Sequence, residues 1–374
     1  MQFAQVVAQG DHLHYLQQAV DRQALPHALL FWGPEGTGKL ASAIALTQYL
    51  MCEDRHAGGS CGACRSCVKT EKLIHPDVHF VFPTVGAKAS STDFYPQWRE
   101  ALAENMYLSL HDWMAQISGE NKQGNINAAD CQRIIEQLML KPFEAEHKVL
   151  IMWMAEHLRK EGNKLLKLIE EPPDNTLIIL VAEDRNEILP TILSRCQQLF
   201  FGPVDAAMIS AKAESILGIE PERAKWIAAA SQGNWNLAIQ LARGTYYNPV
   251  VWVQNWIKAA WSRDPARISA WAGEVASSSR EEHKQILRYI LNIWQKLFWL
   301  KWGVPFEAEG SEMQLISFLN TKIELNELEF LVELSEDNLR AIERNGNPRI
   351  IWMQSTFRLR DALSKPHAEL RTGS

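Results

Sequence analysis

Two groups of residues in this chain have the types and spacing to do chemistry. Gly33-Pro34-Glu35-Gly36-Thr37-Gly38-Lys39 fits the pattern G-x-x-x-x-G-K. In such a loop the glycines let backbone N–H groups turn inward around phosphate oxygens, and the start of the following helix adds a favourable field. Lys39 brings a positive charge to the outer phosphates. Gly33, Gly36, Thr37, Gly38 and Lys39 are therefore the candidate ATP- or ADP-binding residues. The second group is Cys52, Cys61, Cys64 and Cys67, spaced C-x8-C-x2-C-x2-C. Four thiolates at that spacing can close a tetrahedral shell around Zn2+, each at about 2.3 Å. Gly58, Gly59 and Gly62 supply the tight turns such a module needs. A shell filled by four cysteines has no open position, so the expected role is structural.

The phosphate loop lacks the groups that would make it hydrolyse. A working loop places Ser or Thr after the lysine, where the hydroxyl ligates Mg2+; here the residue is Leu40. An acidic pair is also needed at the end of a later strand, to hold the metal and activate water. The best candidate strand ends in Trp153-Met154, and Glu156 follows on what reads as the wrong turn. Nucleotide binding can survive these losses; hydrolysis is not expected to.

The elements that must position these groups are legible as apolar runs. Ala28-Leu29-Leu30-Phe31-Trp32 is short, apolar and stopped by Gly33-Pro34, which predicts a buried strand leading into the loop. Leu40 to Met51 has helical spacing. Val78–Phe82, Lys148–Met154 and Leu177–Ala182 predict three further strands, separated by helical patterns over Ala128–Leu140 and Leu158–Glu170. Strands alternating with helices imply a parallel sheet covered on both faces. Residues 84–125 form a polar insertion with two short helical patterns, Asp93–Glu104 and Leu108–Ile117, in which no chemistry is evident. Beyond Val204 only helical patterns occur. A stripe of Ile286, Ile290, Ile293, Leu297 and Leu300, widened by Leu287, Leu291, Trp294 and Phe298, marks one broad apolar helix face. Eight of the 14 tryptophans lie beyond residue 250, which points to a helical core there, or to an oligomer contact.

Composition bounds the function classes. At about 150 residues per domain, 374 residues suggest two or three domains. Lys plus Arg number 38 against 44 for Asp plus Glu, a net charge of −6, which speaks against a free-standing, sequence-independent nucleic-acid binder. A local patch remains compatible: Arg159, Lys160, Lys164 and Lys167 are spaced to share part of a helix, as a solvated face or as a surface for duplex phosphates. Four of six cysteines cluster, which reads as a metal site in a reducing compartment rather than a disulfide framework. Thr245–Ile257, the longest apolar stretch, is broken by Asn248, Pro249, Gln254 and Asn255, so no membrane association is expected. No leader pattern stands out. The expected location is cytoplasmic.

Several motifs occur in a fixed order: the phosphate loop, the cysteine module just after its helix, His75-Pro76-Asp77, Leu165-Leu166-Lys167-Leu168-Ile169-Glu170-Glu171-Pro172-Pro173, and Leu189-Pro190-Thr191-Ile192-Leu193-Ser194-Arg195-Cys196. In this arrangement the chain resembles the bacterial DNA polymerase III clamp-loader ATPase family, over roughly residues 1–240. The resemblance implies an α/β fold: an AAA+ P-loop parallel-sheet domain over 1–204 with the zinc module at 52–67 and the insertion at 84–125, a helical lid over 205–244, and an all-α collar domain over 245–374. It implies motor (gamma/tau) and delta subunits, a sliding clamp and primer-template DNA as partners, and no membrane. On the residues alone Arg195 would be a surface or ion-pair residue; the family's arginine at this place enters a neighbouring subunit's ATP site and acts in trans, with Cys196 packed behind it. The motor pattern carries Ser or Thr after the loop lysine, acids after the third strand, its own sensor stretch before the Ser-Arg-Cys motif, and a lid arginine. This chain has Leu40, Trp153-Met154, Ala182-Glu183-Asp184 and Asn236. The four departures bring it nearest to the non-hydrolysing, delta-prime-type branch, with a gamma/tau-type motor using divergent metal ligands as the alternative. A zinc-dependent DNA-binding module and a P-loop kinase are weaker rivals, the first against the charge, the second without an identifiable base.

Overall fold

The apolar run after Pro26 becomes β1 (Ala28–Trp32), and four more strands join it: β2 (Val78–Val81), β3 (Lys148–Trp153), β4 (Thr176–Ala182) and β5 (Gln197–Phe200). The structure, a computed structural model, describes residues 1–7, 10–56, 59–86, 89–118, 124–243, 249–276, 278, 280–308, 310–344 and 346–364. The five strands form one sheet in the order β2-β3-β4-β1-β5, and every pairing is parallel. Leu30 faces Leu180 and Ile151 faces Ile179 across the ladders. All residues of β3 and β4 are buried. Parallel strands need crossover helices on both faces, and continuous apolar runs are what such double coverage selects.

β5 carried no apolar signal. Its Gln197, Gln198 and Phe200 are exposed, because it forms the sheet edge beside β1. A short polar edge strand is easily missed by hydropathy and resists pairing with other chains.

The helix Lys39–Met51 is buried along its whole length, so its start is held rigidly at the loop. The helical pattern expected over 158–170 is instead a 3-10 helix over Ala155–Leu165 and a short α-helix over Leu166–Glu170. Arg159 interrupts it at φ 48°, ψ −132°. The run also draws close to its neighbours at Gly162, where an added Cβ would lie 3.0 Å from Ile192 Cδ1. Arg159, Lys160, Lys164 and Lys167 are all exposed but do not share one regular helix, and Lys164 pairs with Glu161 at 2.8 Å.

The insertion is pinned by aromatic packing. Its helices Tyr95–Glu104 and Leu110–Ser118 bury Trp98 and Trp113, with Phe82 stacked on Trp98 at 4.2 Å and Trp98 5.2 Å from Trp153 at the end of β3. The Trp113 indole donates to the Pro83 carbonyl at 2.8 Å.

The chain divides into two compact units, Met1–Arg243 and Gly244–Ser374. Helices Ala206–Leu217, Pro221–Ser231 and Trp235–Ala242 lie in the first. Residues 244–248, where the expected lid gives way to the expected collar, lie outside the described residues. The second unit is helical, and its tryptophans make its core: Trp252, Trp256, Trp294 and Trp352 are fully buried, with Trp252 and Trp352 4.7 Å apart. Three of the indole N–H groups are satisfied by buried partners, Trp256 by Thr356, Trp294 by Ser335 and Trp352 by His283 Nδ1, each at 3.0 Å. Ile286, Ile290, Ile293 and Leu297 are buried as their spacing predicts, whereas Phe298 is exposed and stacks on Trp302. Among the described residues no helix is long and apolar enough to cross a membrane.

Candidate functional site

The phosphate loop runs from the end of β1 to the start of the helix Lys39–Met51. Its backbone is one only glycine tolerates at two close approaches. Gly33 has φ 144°, and a Cβ there would lie 2.1 Å from the Phe201 carbonyl oxygen. Gly36 has φ 71°, and its Cβ would lie 1.8 Å from Asn234 Oδ1. The sequence pattern anticipated the loop but not Asn234, which lies far away along the chain.

Lys39 turns back into its own loop. The side chain is 7% exposed, and Nζ donates to the Gly33 carbonyl at 2.6 Å and to the Pro34 carbonyl. Thr37 Oγ1 also donates to the Pro34 carbonyl, at 2.9 Å. Burial pulls the Lys39 ammonium down to about 8, against the opposing fields of Glu183, Glu156 and Glu35. The carboxylates come from three places: the loop itself, the turn after β3, and the turn after β4. Glu156 Oε1 accepts from the Glu183 N–H at 2.9 Å, so Glu156 does reach the strand ends, contrary to the expectation that it sits on the wrong turn. Burial pushes the Glu156 carboxyl up, while the Glu183 N–H and the Lys39 charge act the other way.

Leu40 is buried and offers no ligand. Trp153 and Met154 occupy the end of β3 and line the cleft beside the loop, Met154 in the left-handed region at φ 55°. Met106, Tyr107 and Leu108 from the insertion form another wall. This contribution was invisible in the sequence, because only the folded insertion brings it over the loop.

The first turn of the helix Trp235–Ala242 closes on the same place. The Trp235 N–H donates to the Gly36 carbonyl at 2.9 Å. Asn234 and Asn236 each donate to Glu35 Oε1 at 3.2 Å. Asn236 also donates to Asp112 at 3.1 Å and accepts from Asn105 at 2.6 Å. Asn236, the residue at the expected lid-arginine place, is thus a neutral cross-link between the loop, the insertion and its own helix Trp235–Ala242. An arginine there would bring a positive charge; asparagine brings only hydrogen bonds.

The cysteine module follows the same helix as the phosphate loop, Lys39–Met51. The Sγ atoms of Cys52, Cys61, Cys64 and Cys67 all lie within 4.8 Å of one another. A tetrahedral shell with bonds of about 2.3 Å needs sulfurs about 3.8 Å apart, and Cys61 and Cys67 are at 3.9 Å. Backbone N–H groups point at the sulfurs: Cys61 N at Cys52 Sγ and Cys64 N at Cys61 Sγ at 3.3 Å, Cys67 N at Cys64 Sγ at 3.4 Å. The N–H groups of Ala63 and Cys64 hold the Cys61 thiol down at about 7, whereas burial pushes Cys67 up. The four cysteines can hold a metal ion, and the donor set suits a thiophilic one. Gly59 and Gly62 take positive φ as turns require; Gly58 lies outside the described residues.

Arg195 does not line the chain's own cleft. It follows the short helix Pro190–Leu193, with Nε donating to Glu170 Oε2 at 3.0 Å and Nη1 to the Thr191 carbonyl at 2.9 Å. Cys196 is half-buried against the core of that region.

Comparison with known proteins bears on these sites. A family model described as DNA polymerase III, delta subunit, matches residues 8–205, just over half of the chain. DNA polymerase III subunit delta' of Bacillus subtilis is 29% identical over 197 residues, 52% of this chain and 47% of that protein. The delta' subunit of Pseudomonas aeruginosa is 29% identical over 172 residues, 46% of this chain and 42% of that protein. The gamma/tau subunit of Mycobacterium bovis is 28% identical over 194 residues, 52% of this chain and 27% of that protein. The chain thus spans about half or less of the length of these curated relatives. A solved DNA polymerase III gamma subunit-related protein from Thermotoga maritima superimposes with a TM-score of 0.44 at 15% identity, covering 94% of this chain and 99% of that one.

Proposed function

The chain belongs to the DNA polymerase III delta-subunit family, and from that premise we propose that it is the delta-prime-type, non-hydrolysing subunit of a clamp loader. In this reading it helps place a sliding clamp on primer-template DNA, in a cytoplasmic complex with gamma/tau motor and delta subunits. The observation that carries the reading is the state of the phosphate loop. The places for magnesium-holding groups contain Leu40, Trp153 and Met154, none of which offers an oxygen ligand.

Each residue then has a part. The loop Gly33–Lys39 is a degenerate ATP- or ADP-binding cradle that organises the domain rather than turning over nucleotide. Asn234, Asn236 and Asp112 hold the lid segment over it. Cys52, Cys61, Cys64 and Cys67 would hold Zn2+, which supplies a closed staple for the loop between two helices. Arg195 supplies a guanidinium in trans to the ATP site of the neighbouring motor, where it stabilises charge on the transferring phosphoryl group. Arg159, Lys160 and Lys167 offer exposed charge to DNA phosphates. The lid over 205–244 is a separate element within the first compact unit, and 245–374 is the collar through which the complex is held together.

The test is the assembled complex. Arg195→Ala should leave the subunit folded and incorporated but slow ATP hydrolysis by roughly 10³-fold or more at the neighbouring site, as loss of arginine fingers does elsewhere. Unchanged hydrolysis overturns the finger role. One observation favours a second reading, a motor with divergent ligands: Glu156 and Glu183 meet beside Lys39. That reading requires magnesium-dependent turnover by the chain alone.

A further inference from the structure

Glu170 ends the short helix Leu166–Glu170, and Arg195 follows the short helix Pro190–Leu193. Their immediate or near neighbours Ile169 and Ile192 are each 1% exposed and belong to one hydrophobic core. Both backbone positions are therefore fixed by the same packing. Further bonds hold each of them: a His27 ring nitrogen lies 3.1 Å from the Ile169 carbonyl, and Arg195 N donates to the Ile192 carbonyl at 3.0 Å. Pro172 and Pro173 stiffen the chain just beyond Glu170.

On this frame the guanidinium is held at two of its edges. Nε donates to Glu170 Oε2 at 3.0 Å, and Nη1 donates to the Thr191 carbonyl at 2.9 Å and more weakly to Ser194 Oγ at 3.4 Å. Among the described residues Nη2 has no partner. The side chain is 32% exposed, so with Nε and Nη1 engaged, Nη2 is the nitrogen left to meet a phosphoryl oxygen.

We propose that Glu170 is a positioning residue for Arg195, selecting the rotamer that presents the outer N–H groups to the neighbouring subunit's nucleotide. The proposal rests on the reading of Arg195 as a group acting in trans. A long side chain free in solvent must be ordered when it engages, and that cost falls on the transition state unless it is met beforehand. Glu170 is 57% exposed, so the pair contributes little to folding and its removal leaves the subunit intact. Its consequence is orientation.

The experiment measures steady-state ATP hydrolysis by the clamp loader reconstituted with this subunit as wild type, Glu170→Ala, Glu170→Gln, Arg195→Ala, and Arg195→Ala with Glu170→Ala. Glu170→Ala should lower kcat by roughly two- to fivefold, the scale of an exposed ion pair, and leave KM for ATP unchanged. Glu170→Gln keeps an acceptor for Nε–H and should recover most of that loss, which a merely structural carboxylate would not predict. The double variant should be no slower than Arg195→Ala alone. If Arg195→Ala is slow while Glu170→Ala matches or exceeds wild type, Glu170 does not position the arginine and the finger reading stands. If the double variant is slower than Arg195→Ala, Glu170 acts by another route and the proposal is overturned. Should Arg195→Ala itself run at the wild-type rate, it is the underlying finger reading that fails, and the positioning role fails with it.

Discussion

The ammonium of Lys39 is buried among its own loop carbonyls, and burial brings it down from an ordinary 10.5 to about 8. The linkage has a definite sign. Below pH 8 the folded chain carries a charge that burial disfavours. Between pH 8 and 10.5 the unfolded chain binds more protons than the folded one, so this group's contribution to stability rises with pH. Replacing Lys39 by Met removes the charge. The stability gained by Lys39→Met over wild type, measured by chemical denaturation, should therefore be largest near pH 7 and shrink by about pH 10. A gain that grows with pH would contradict a depressed lysine. At this scale the local motifs could be read from the sequence, because Gly33 to Lys39 and Cys52 to Cys67 are each nearly contiguous. The acids around Lys39 could not: Glu35, Glu156 and Glu183 meet only because β1, β3 and β4 end side by side. The same holds for Asn234 and Asn236, whose bonds to Glu35 join residues 199 and 201 positions apart.

Among the elements, the buried strands announced themselves as unbroken apolar stretches over 148–153 and 176–182, since double coverage leaves few polar positions. β5 did not, because its glutamines face solvent at an edge. Helical periodicity over 158–170 suggested one helix, but spacing cannot reveal a break at Arg159, where the backbone turns to positive φ. The insertion offered only amphipathic hints; its function as a wall of the cleft depends on Trp98 and Trp113 docking against Phe82 and Trp153. The cysteine module yields the prediction that belongs here. Zinc should be present at about one ion per chain, and Cys64→Ser should release it, since three remaining thiolates leave the tetrahedral shell open. Loss of the metal should raise hydrogen exchange over residues 52–67 without unfolding the sheet. Wild-type protein free of zinc by elemental analysis would show the claim to be wrong.

For the molecule as a whole, a net charge of −6 speaks against an autonomous, sequence-independent DNA binder. The concentration of tryptophan beyond residue 250 left core and interface both open; the folded chain uses Trp252, Trp256, Trp294 and Trp352 as core and leaves Trp261 and Trp302 exposed. On the proposed reading, function at this scale would be a division of labour: a cradle that keeps its shape, a lid segment fastened to it by asparagines, and an arginine offered to a neighbour. The measurement that tests this most directly is ATP hydrolysis by the purified chain alone, with magnesium. The account predicts no phosphate release above the protein-free rate, and no change on Lys39→Ala. Magnesium-dependent turnover that Lys39→Ala abolishes would contradict it.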